Sequence, residues 1–590
     1  MVNIGLRPFL CLSALLFLLS FPGCRTSPES NSAFTGNEKP NERVAGTRGG
    51  SITYRVSQSV KTFNYLKADS EASVLVTFYL LGGHLIDFDG ETQRYVPGLA
   101  ESWKLADDAR TLDMTLRDAL RFSDGYPLTA DDVVFTLRTT YDEHTTSPIY
   151  QGSILIGGKK IEAKALDQRR IRFVFPEPVA SPENYISNIS VLPQHVLEAD
   201  VNAGTIDKDW GIDANPIAIV TAGPFIVDSV SSGDKFVLKR NPNYWKHDAA
   251  GTQLPYLDSI TIVSVPDMNN AISQLQQGGL DILDRIRPSD FVALRDNKGA
   301  LRTFDLGPGL YTHHIIFNLN EDVRTGKTVV DPIKAAWFND VRFRKAVAFA
   351  IDRESIAKST LQGLATPLYG IVSPGNKAWA VTDLTNTEFD LEKAKTLLRE
   401  GGFEQRGSTN APELYDAKGN RVEFTLLVQA ENPLRNLMAT VIQSDLYRIG
   451  IKMNIAKVDT VQLTSKVNNG EDYDAAFLGT STTQPDPSSY DSFLRSDGSN
   501  HQWRPKQEKP ATEWEARIDE LATAQARETD EERRRGIFHD IQAIIDEQQP
   551  IIPIVAPHTV VAANTRIGNY RPSPLLPYSL WNADELFLKK

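Results

Sequence analysis

A chain of 590 residues is too long for one hydrophobic core and calls for two or three domains. Its hydrophobic content of 41% and charged content of 23% are those of an ordinary soluble globular protein. The net charge of −12, with no extended block of Lys and Arg, argues against nucleic acid as a partner.

In chain order, Arg7 is followed by the apolar run Pro8–Phe21, broken only by Ser13 and Ser20. That is the length of a secretory apolar segment and too short to span a bilayer, so residues 1–23 read as a signal peptide. The run ends at Phe21-Pro22-Gly23-Cys24, which looks like a bacterial lipobox with Cys24 as the lipidated residue. Phe21 and Pro22 depart from the usual Leu and small residue, and the alternative is a plain cleaved signal that leaves a soluble periplasmic protein. The two cysteines, Cys11 and Cys24, both fall in this segment, so no disulfide or thiol chemistry is expected of the exported chain. Residues 24–50, rich in Ser, Thr, Asn, Gly, Pro and Glu, read as a lipid-anchored disordered tether at the periplasmic face of a membrane.

Order is expected from Ile52–Val56, a strand. Leu112, Met114 and Leu116 alternate with Asp113 and Thr115, the pattern of a half-buried strand. Asp124-Gly125 supplies a turn, and Thr129 with Asp132 forms a loose capping box ahead of Val133, Val134 and Leu137. Lys235–Arg240 and Ser259–Val265 read as strands, and Asp267 caps a helix running through Ala271 and Leu275. Asp340, Asp352 and Asp390 each sit where a helix cap belongs, the last before Leu391, Ala394, Leu397 and Leu398 with Gly401-Gly402 as the stop. Glu404–Asn420 looks like a surface insertion. Phe424–Val428 is a strand, Arg435–Tyr447 an amphipathic helix and Ile449–Ile455 a returning strand. Asp474–Phe477 is another strand, followed by the loop Gly479–Pro487, and His501–Ala511 reads as a linker or lid loop. Strands alternating with helices point to α/β lobes.

Enzyme signals are missing. There is no G-x-S-x-G elbow, no cysteine beyond Cys24 to act as nucleophile, and no metal-ligand spacing among the nine histidines. His313 and His314 are neighbours in an apolar strand and point to opposite faces, so they cannot share a site. Gly326-Lys327-Thr328 echoes the end of a phosphate-binding loop, but Glu321 stands where that loop needs glycine. No cofactor or metal is expected.

Pro97-Gly98-Leu99-Ala100-Glu101-Ser102-Trp103, Leu116-Arg117, Phe122-Ser123-Asp124-Gly125 and Leu128-Thr129-Ala130-Asp131-Asp132-Val133 together resemble the signature of the family 5 extracellular solute-binding proteins. These are peptide, nickel and oligosaccharide receptors of bacterial ABC importers. Asn241–Trp245, Pro255–Asp258, Phe338–Ala346, Ala350–Arg353, Lys393-Ala394 and Ile449–Ile451 look like family landmarks in family order. The resemblance implies an α/β, type II periplasmic-binding-protein-like fold, bilobal with three domains, mixed sheets flanked by helices and a hinge between the lobes. Lobe I would combine 51–86, 216–320 and 550–590; domain II would be 87–215; lobe II would be 321–549. The implied function is capture of a solute, by family a peptide, and its delivery to an ABC permease and ATPase by a monomeric, membrane-tethered receptor. The alternatives are an oligosaccharide or other neutral solute, a ligand sensor, or an exported enzyme on a reused fold.

In peptide-binding relatives the loop corresponding to Gly479–Pro487 carries an acid that anchors the ligand's ammonium, and the matching position is Thr483. The aromatic that often follows the loop's glycine is Thr480 here, and Gln484 and Asp486 complete the candidates. A hydroxyl cannot neutralise a buried ammonium. Asp486 could substitute as an acid or merely form the Asp-Pro turn. Val428-Gln429-Ala430 offers no cation where dipeptide binders place an arginine. From the opposite lobe the resemblance implies Glu71, Ser73 and Val74. Trp245 and Trp379 are candidates for stacking on a ligand, or for core packing. Thr483→Asp is expected to change ligand preference in a binding panel; an unaltered preference would remove Thr483 from the site.

Overall fold

The computed structural model describes residues 43–590 apart from 146, 148, 149, 233, 297, 298, 322, 325, 326, 382, 385, 386, 470–472 and 483. All of these lie in the compact unit Phe34–Lys590. The signal segment, Cys24, Gly326 and Thr483 fall outside the described residues.

The elements that build the main sheet are, in chain order, β1 (Ser51–Val56), β2 (Phe225–Ser232), β3 (Lys235–Arg240), β4 (Ser259–Ser264), β5 (Ile282–Leu283), β6 (Leu301–Pro308), β7 (Tyr311–Phe317), β8 (Glu423–Gln429), α1 (Pro433–Tyr447), β9 (Lys452–Val458), β10 (Ala475–Ser481) and β11 (Ile551–Asn564). They form most of a twelve-stranded mixed sheet of order β2-β3-β4-β1-β5-β11-β7-β10-β8-β9, with β6 and Ala365–Pro367 also on β11. The protein is bilobal, and β11 runs through both lobes. Its residues Ile551–Val555 pair with β7, whereas Val560–Asn564 pair with β6. The sequence IIPIVAPHTVVAAN is a near-continuous apolar run, the signature of a strand covered on both faces. Pro553 and Pro557 cannot donate to a ladder, and the register shifts beside the first of them. The chain crosses a second time between β6 and β7, just after the register shift in β6 where Gly307 takes φ +77, a left-handed conformation that suits glycine.

Three large apolar clusters fill the fold. One surrounds Ile52, Phe225, Phe236 and Ile260 under β1–β4. A second holds Leu112, Met114, Phe122, Val133 and Phe173. The third lies under β7, β8 and β10, where Phe317 stacks on Phe338 at 4.7 Å and meets Phe424 edge-on at 5.3 Å. The local signals hold. Leu112, Met114 and Leu116 are buried while Asp113, on the outer face, takes Arg172 in two bonds of 2.7 Å. The Thr129 amide donates to Asp132 Oδ2 at 2.8 Å. Asp267, Asp340, Asp352 and Asp390 each accept a backbone N–H in the first turn of the expected helix.

Four readings need correction. Residues 43–50 are not a free tether: the Val44 backbone exchanges hydrogen bonds with the Asn569 side chain, and the Gly49 amide donates to the Tyr256 carbonyl. Their polar composition concealed a strap whose bonds are made by backbone. The returning strand begins at Lys452 rather than Ile449, because Gly450 turns the chain with φ +84. β10 extends to Ser481, so Gly479 and Thr480 belong to a strand and not to a loop. The segment from His501 is not a lid, since His501–Pro505 are buried. Trp503 donates to Glu515 Oε1 at 3.0 Å and its carbonyl accepts the Leu319 amide at 2.9 Å. Glu404–Asn420 forms a hairpin whose first strand, Glu404–Ser408, is wholly exposed. Trp503→Ala is expected to cost about 3–5 kcal/mol in denaturant unfolding; a loss near zero would restore the lid reading.

Candidate functional site

The chain leaving β10 lines three cavities in turn. Thr480 and Thr482 face a space of about 20 Å³ shared with Thr312, His314 and Tyr490, room for a water molecule and no more. Both hydroxyls are buried without a hydrogen-bond partner. Gln484 and Pro485 reach a cavity of about 300 Å³ that also holds Tyr79, His84, Trp245 and Trp581. Pro485 and Asp486 reach a third of about 410 Å³, beside Tyr95, Trp379 and Arg534.

The side chains of Gln484 and Asp486 are committed to the protein. Gln484 Oε1 accepts from the Tyr95 hydroxyl at 2.7 Å, and its Nε2 donates to Ser187 Oγ at 3.2 Å, so the amide ties separate parts of the fold together. Asp486 receives Arg534 in two bonds of 2.7 Å, with both side chains buried, and also caps the Ser488 amide. Its charge is thereby already neutralised. Arg534 and Arg535 lie over the Trp379 ring at 5.1 and 5.3 Å, and Phe538 meets its edge. Trp245 is likewise covered, by Arg117 at 4.3 Å.

On the opposite wall, Ser70 caps a short helix beginning at Glu71. Glu71 lines a cavity of about 230 Å³ with Arg55, Asp284, Arg285 and Tyr578, and its Oε2 lies 2.5 Å from Arg285 Nη1. Ser73 is buried, and Val74 packs on the core, so neither faces that cavity. Burial raises the Asp284 carboxyl to about 6, with Tyr54 and Ser579 donating to it.

Sequence reasoning missed Arg435, in the first turn of α1. Asn432 caps that turn by accepting the Arg435 amide at 2.9 Å. The guanidinium donates to the Tyr311 hydroxyl at 2.7 Å and to Gln429 Oε1 at 3.1 Å. Among the described residues its Nε has no hydrogen-bond partner, and the residue is only 5% exposed. Arg435 thus stands five residues past Ala430, with Gln429 and Tyr311 as its acceptors. Gly479 gives this group its room: a Cβ there would sit 1.9 Å from the Tyr311 hydroxyl and 2.7 Å from Arg435 Nη2, a proximity that only the folded chain shows. Beside this group His313 is held well below its usual pKa by burial and then by Arg435, whereas His314, on the other face, falls to about 4 through burial. Neither is a proton carrier at neutral pH.

The chain belongs to the bacterial extracellular solute-binding proteins of family 5, whose family model matches residues 94–502. A probable ABC transporter-binding protein of Deinococcus radiodurans is 29% identical over 574 residues, 93% of this chain and 94% of the relative. The oligopeptide-binding protein AppA of Bacillus subtilis is 27% identical over 591 residues, 98% of each chain. Its structure in complex with a nonapeptide superposes with a TM-score of 0.67 at 25% identity, covering 92% of this chain and all of that one. The substrate-binding protein CtaP of Listeria monocytogenes gives 0.74 at 24% identity, with 92% and 100% covered. The protein is thus a solute-binding protein of an ABC importer and not an enzyme. Among the described residues no helix is long and apolar enough to cross a membrane, and no cluster of His, Cys, Asp and Glu could hold a metal ion.

Asp486→Ala is expected to destabilise the fold by about 3–5 kcal/mol in denaturant unfolding, because it strands a buried guanidinium. A lost affinity with unaltered stability would mark Asp486 as a ligand anchor instead.

Proposed function

We propose that this protein captures peptides between its two lobes and delivers them to a membrane permease. The observation that carries the peptide reading is Arg435, a buried cation with no carboxylate among its described partners. A buried charge without a counter-ion is costly. The terminal carboxylate of a peptide would neutralise it, and a neutral sugar would not.

The strand edge beside Arg435 supports the same reading. β8 pairs with β10 only at Ala475–Phe477, so among the described pairings Leu478–Ser481 bond to β7 alone. An extended peptide could add its main chain along that edge, the usual physics of strand addition. The oligopeptide-binding relative adds weight. In this reading the ammonium anchor is not Thr483, and the hydroxyls of Thr480 and Thr482 shape the wall. Lobe closure turns on the two crossings, near 308–310 and 556–559, and gives the permease a shape to recognise. The division expected from the sequence, 51–86 with 216–320 and 550–590, 87–215, and 321–549, is drawn to these crossings, so that Tyr311–Phe317 and Ile551–Val555 go with lobe II. The receptor works as a monomer, exported by residues 1–23 and held at the membrane by a lipid on Cys24, which mass spectrometry of the mature amino terminus would test.

In a thermal-shift panel of short peptides and neutral oligosaccharides, peptides are expected to raise the melting temperature, about 2.7 kcal/mol of stabilisation at a hundredfold excess over Kd. Arg435→Gln should weaken peptide binding by about 1.5–3 kcal/mol in calorimetry. Stabilisation by sugars alone would overturn the peptide reading.

A further inference from the structure

Residues 87–215 are joined to the two lobes in unlike ways. They pack around Leu112, Phe122 and Phe173, and their Phe135, Leu192 and Leu197 enter the apolar cluster under β1–β4 as well, so this part of the chain moves with lobe I. Its face toward lobe II is different. Among the described residues no apolar side chain belongs both to this cluster and to the one under β7, β8 and β10. The cavity of about 410 Å³ lies in that seam, with Tyr95 and Ser181 on one wall and Trp379 and Arg535 on the other. A seam without shared apolar packing opens at little hydrophobic cost.

Hydrogen bonds bridge it instead. Gln93 Nε2 donates to the Gly375 carbonyl at 2.9 Å, and its Oε1 accepts the Lys377 amide at 3.3 Å, as a neighbouring strand would. Gln93 is buried and has φ +56, a left-handed conformation that side chains rarely adopt and that gathers at functional sites. Gln484 makes the second bridge, to Tyr95 and Ser187. The Ala180 amide adds a main-chain bond to the Ala526 carbonyl at 2.8 Å. The Glu177–Arg527 pair, at 3.1 Å, is open to water and contributes little. On the lobe II side the two glutamine bridges belong to one unit, because Asn376 Nδ2 donates to the Pro485 carbonyl at 2.7 Å. That unit rests on the hinge: a Cβ on Gly375 would sit 2.1 Å from the Pro308 carbonyl oxygen.

We propose that Gln93 and Gln484 form a latch that holds the lobes shut through bonds within the protein, with or without a solute in the cleft, and so sets how slowly solutes enter and leave. The latch presupposes the proposed capture between two lobes and touches no ligand itself. A ligand shifts a conformational equilibrium only by its differential affinity for the two states, and bonds within the protein bias that equilibrium before any ligand arrives. A hydrogen bond between uncharged groups trades against water for a small net gain. The bonds at the two glutamines are together enough to populate the shut form of the free chain, and weak enough to let it reopen. Because the latch acts on the shut form whether loaded or empty, it slows entry and exit together. Made by neutral groups, it is insensitive to ionic strength.

Small-angle scattering of the purified, ligand-free chain tests this first. The wild type should have the radius of this structure, at low and high salt alike. Gln93→Ala and Gln484→Ala should each expand it with near-ultraviolet circular dichroism unaltered, which separates opening from unfolding. Stopped-flow binding of short alanine peptides then reads the rates. Both variants should speed dissociation about tenfold and speed association as well, by the same factors for every peptide. A residue that touches the ligand would instead alter dissociation alone and change the ranking of the peptides. A free wild type that scatters as an open molecule, folded variants as compact as the wild type, or association unaltered in both variants would overturn the latch; the first of these needs no variant to fold. Binding of none of the peptides would sink the peptide reading, while scattering of the free chain would still decide the latch.

Discussion

A single strand, Ile551–Asn564, is the constraint on which the rest of this structure depends. It belongs to both lobes at once, pairing with Tyr311–Phe317 at one end and Leu301–Pro308 at the other. A continuous strand resists shear along its length, but it can twist where its ladder is interrupted. At Ala556–His558 the strand changes partners, pairing with Thr366, Ala365 and Pro308, and Pro557 leaves one donor out of the ladder. The connection Gly309-Leu310 lies beside it, the Gly309 amide facing the Pro557 carbonyl at 3.4 Å. Every cleft group discussed above is positioned by its distance from this strand.

The charges of the cleft explain why a familiar loop is here chemically mute. Asp486, the one acid in the segment, is locked to Arg534 by two bonds, and Arg534 in turn lies over Trp379. Gln484 bonds Tyr95 and Ser187. This wall is therefore spent on holding the halves of the molecule together. The charge with no carboxylate among its described partners sits elsewhere, at Arg435. A buried, fully paired ion pair has little free energy left to offer a ligand, whereas an unpaired or solvent-exposed charge has much.

Local signals in the sequence were read well where the physics is local. Alternation at Leu112, Met114 and Leu116, the Asp caps at 267, 340, 352 and 390, and the turn at Asp124-Gly125 depend only on residues a few positions apart. The family signature likewise lies in runs of neighbouring residues, and it carried the fold class. His501–Pro505 was misjudged because its burial comes from Leu319 and Glu515, one of them some 180 residues away. Residues 43–50 were misjudged for the same reason, their partners being Tyr256 and Asn569.

By itself, the sequence determined an α/β solute-binding protein of family 5, since caps, periodicity and contiguous motifs all act over short spans. Only the tertiary structure decided which charges are free. Asp486 and Arg435 look equally available in a string of letters. One is cancelled by a residue 48 positions on, and the other is left with a phenol and an amide. The electrostatic state of a side chain is a property of its neighbours in space, and long-range pairing across a folded sheet chooses those neighbours.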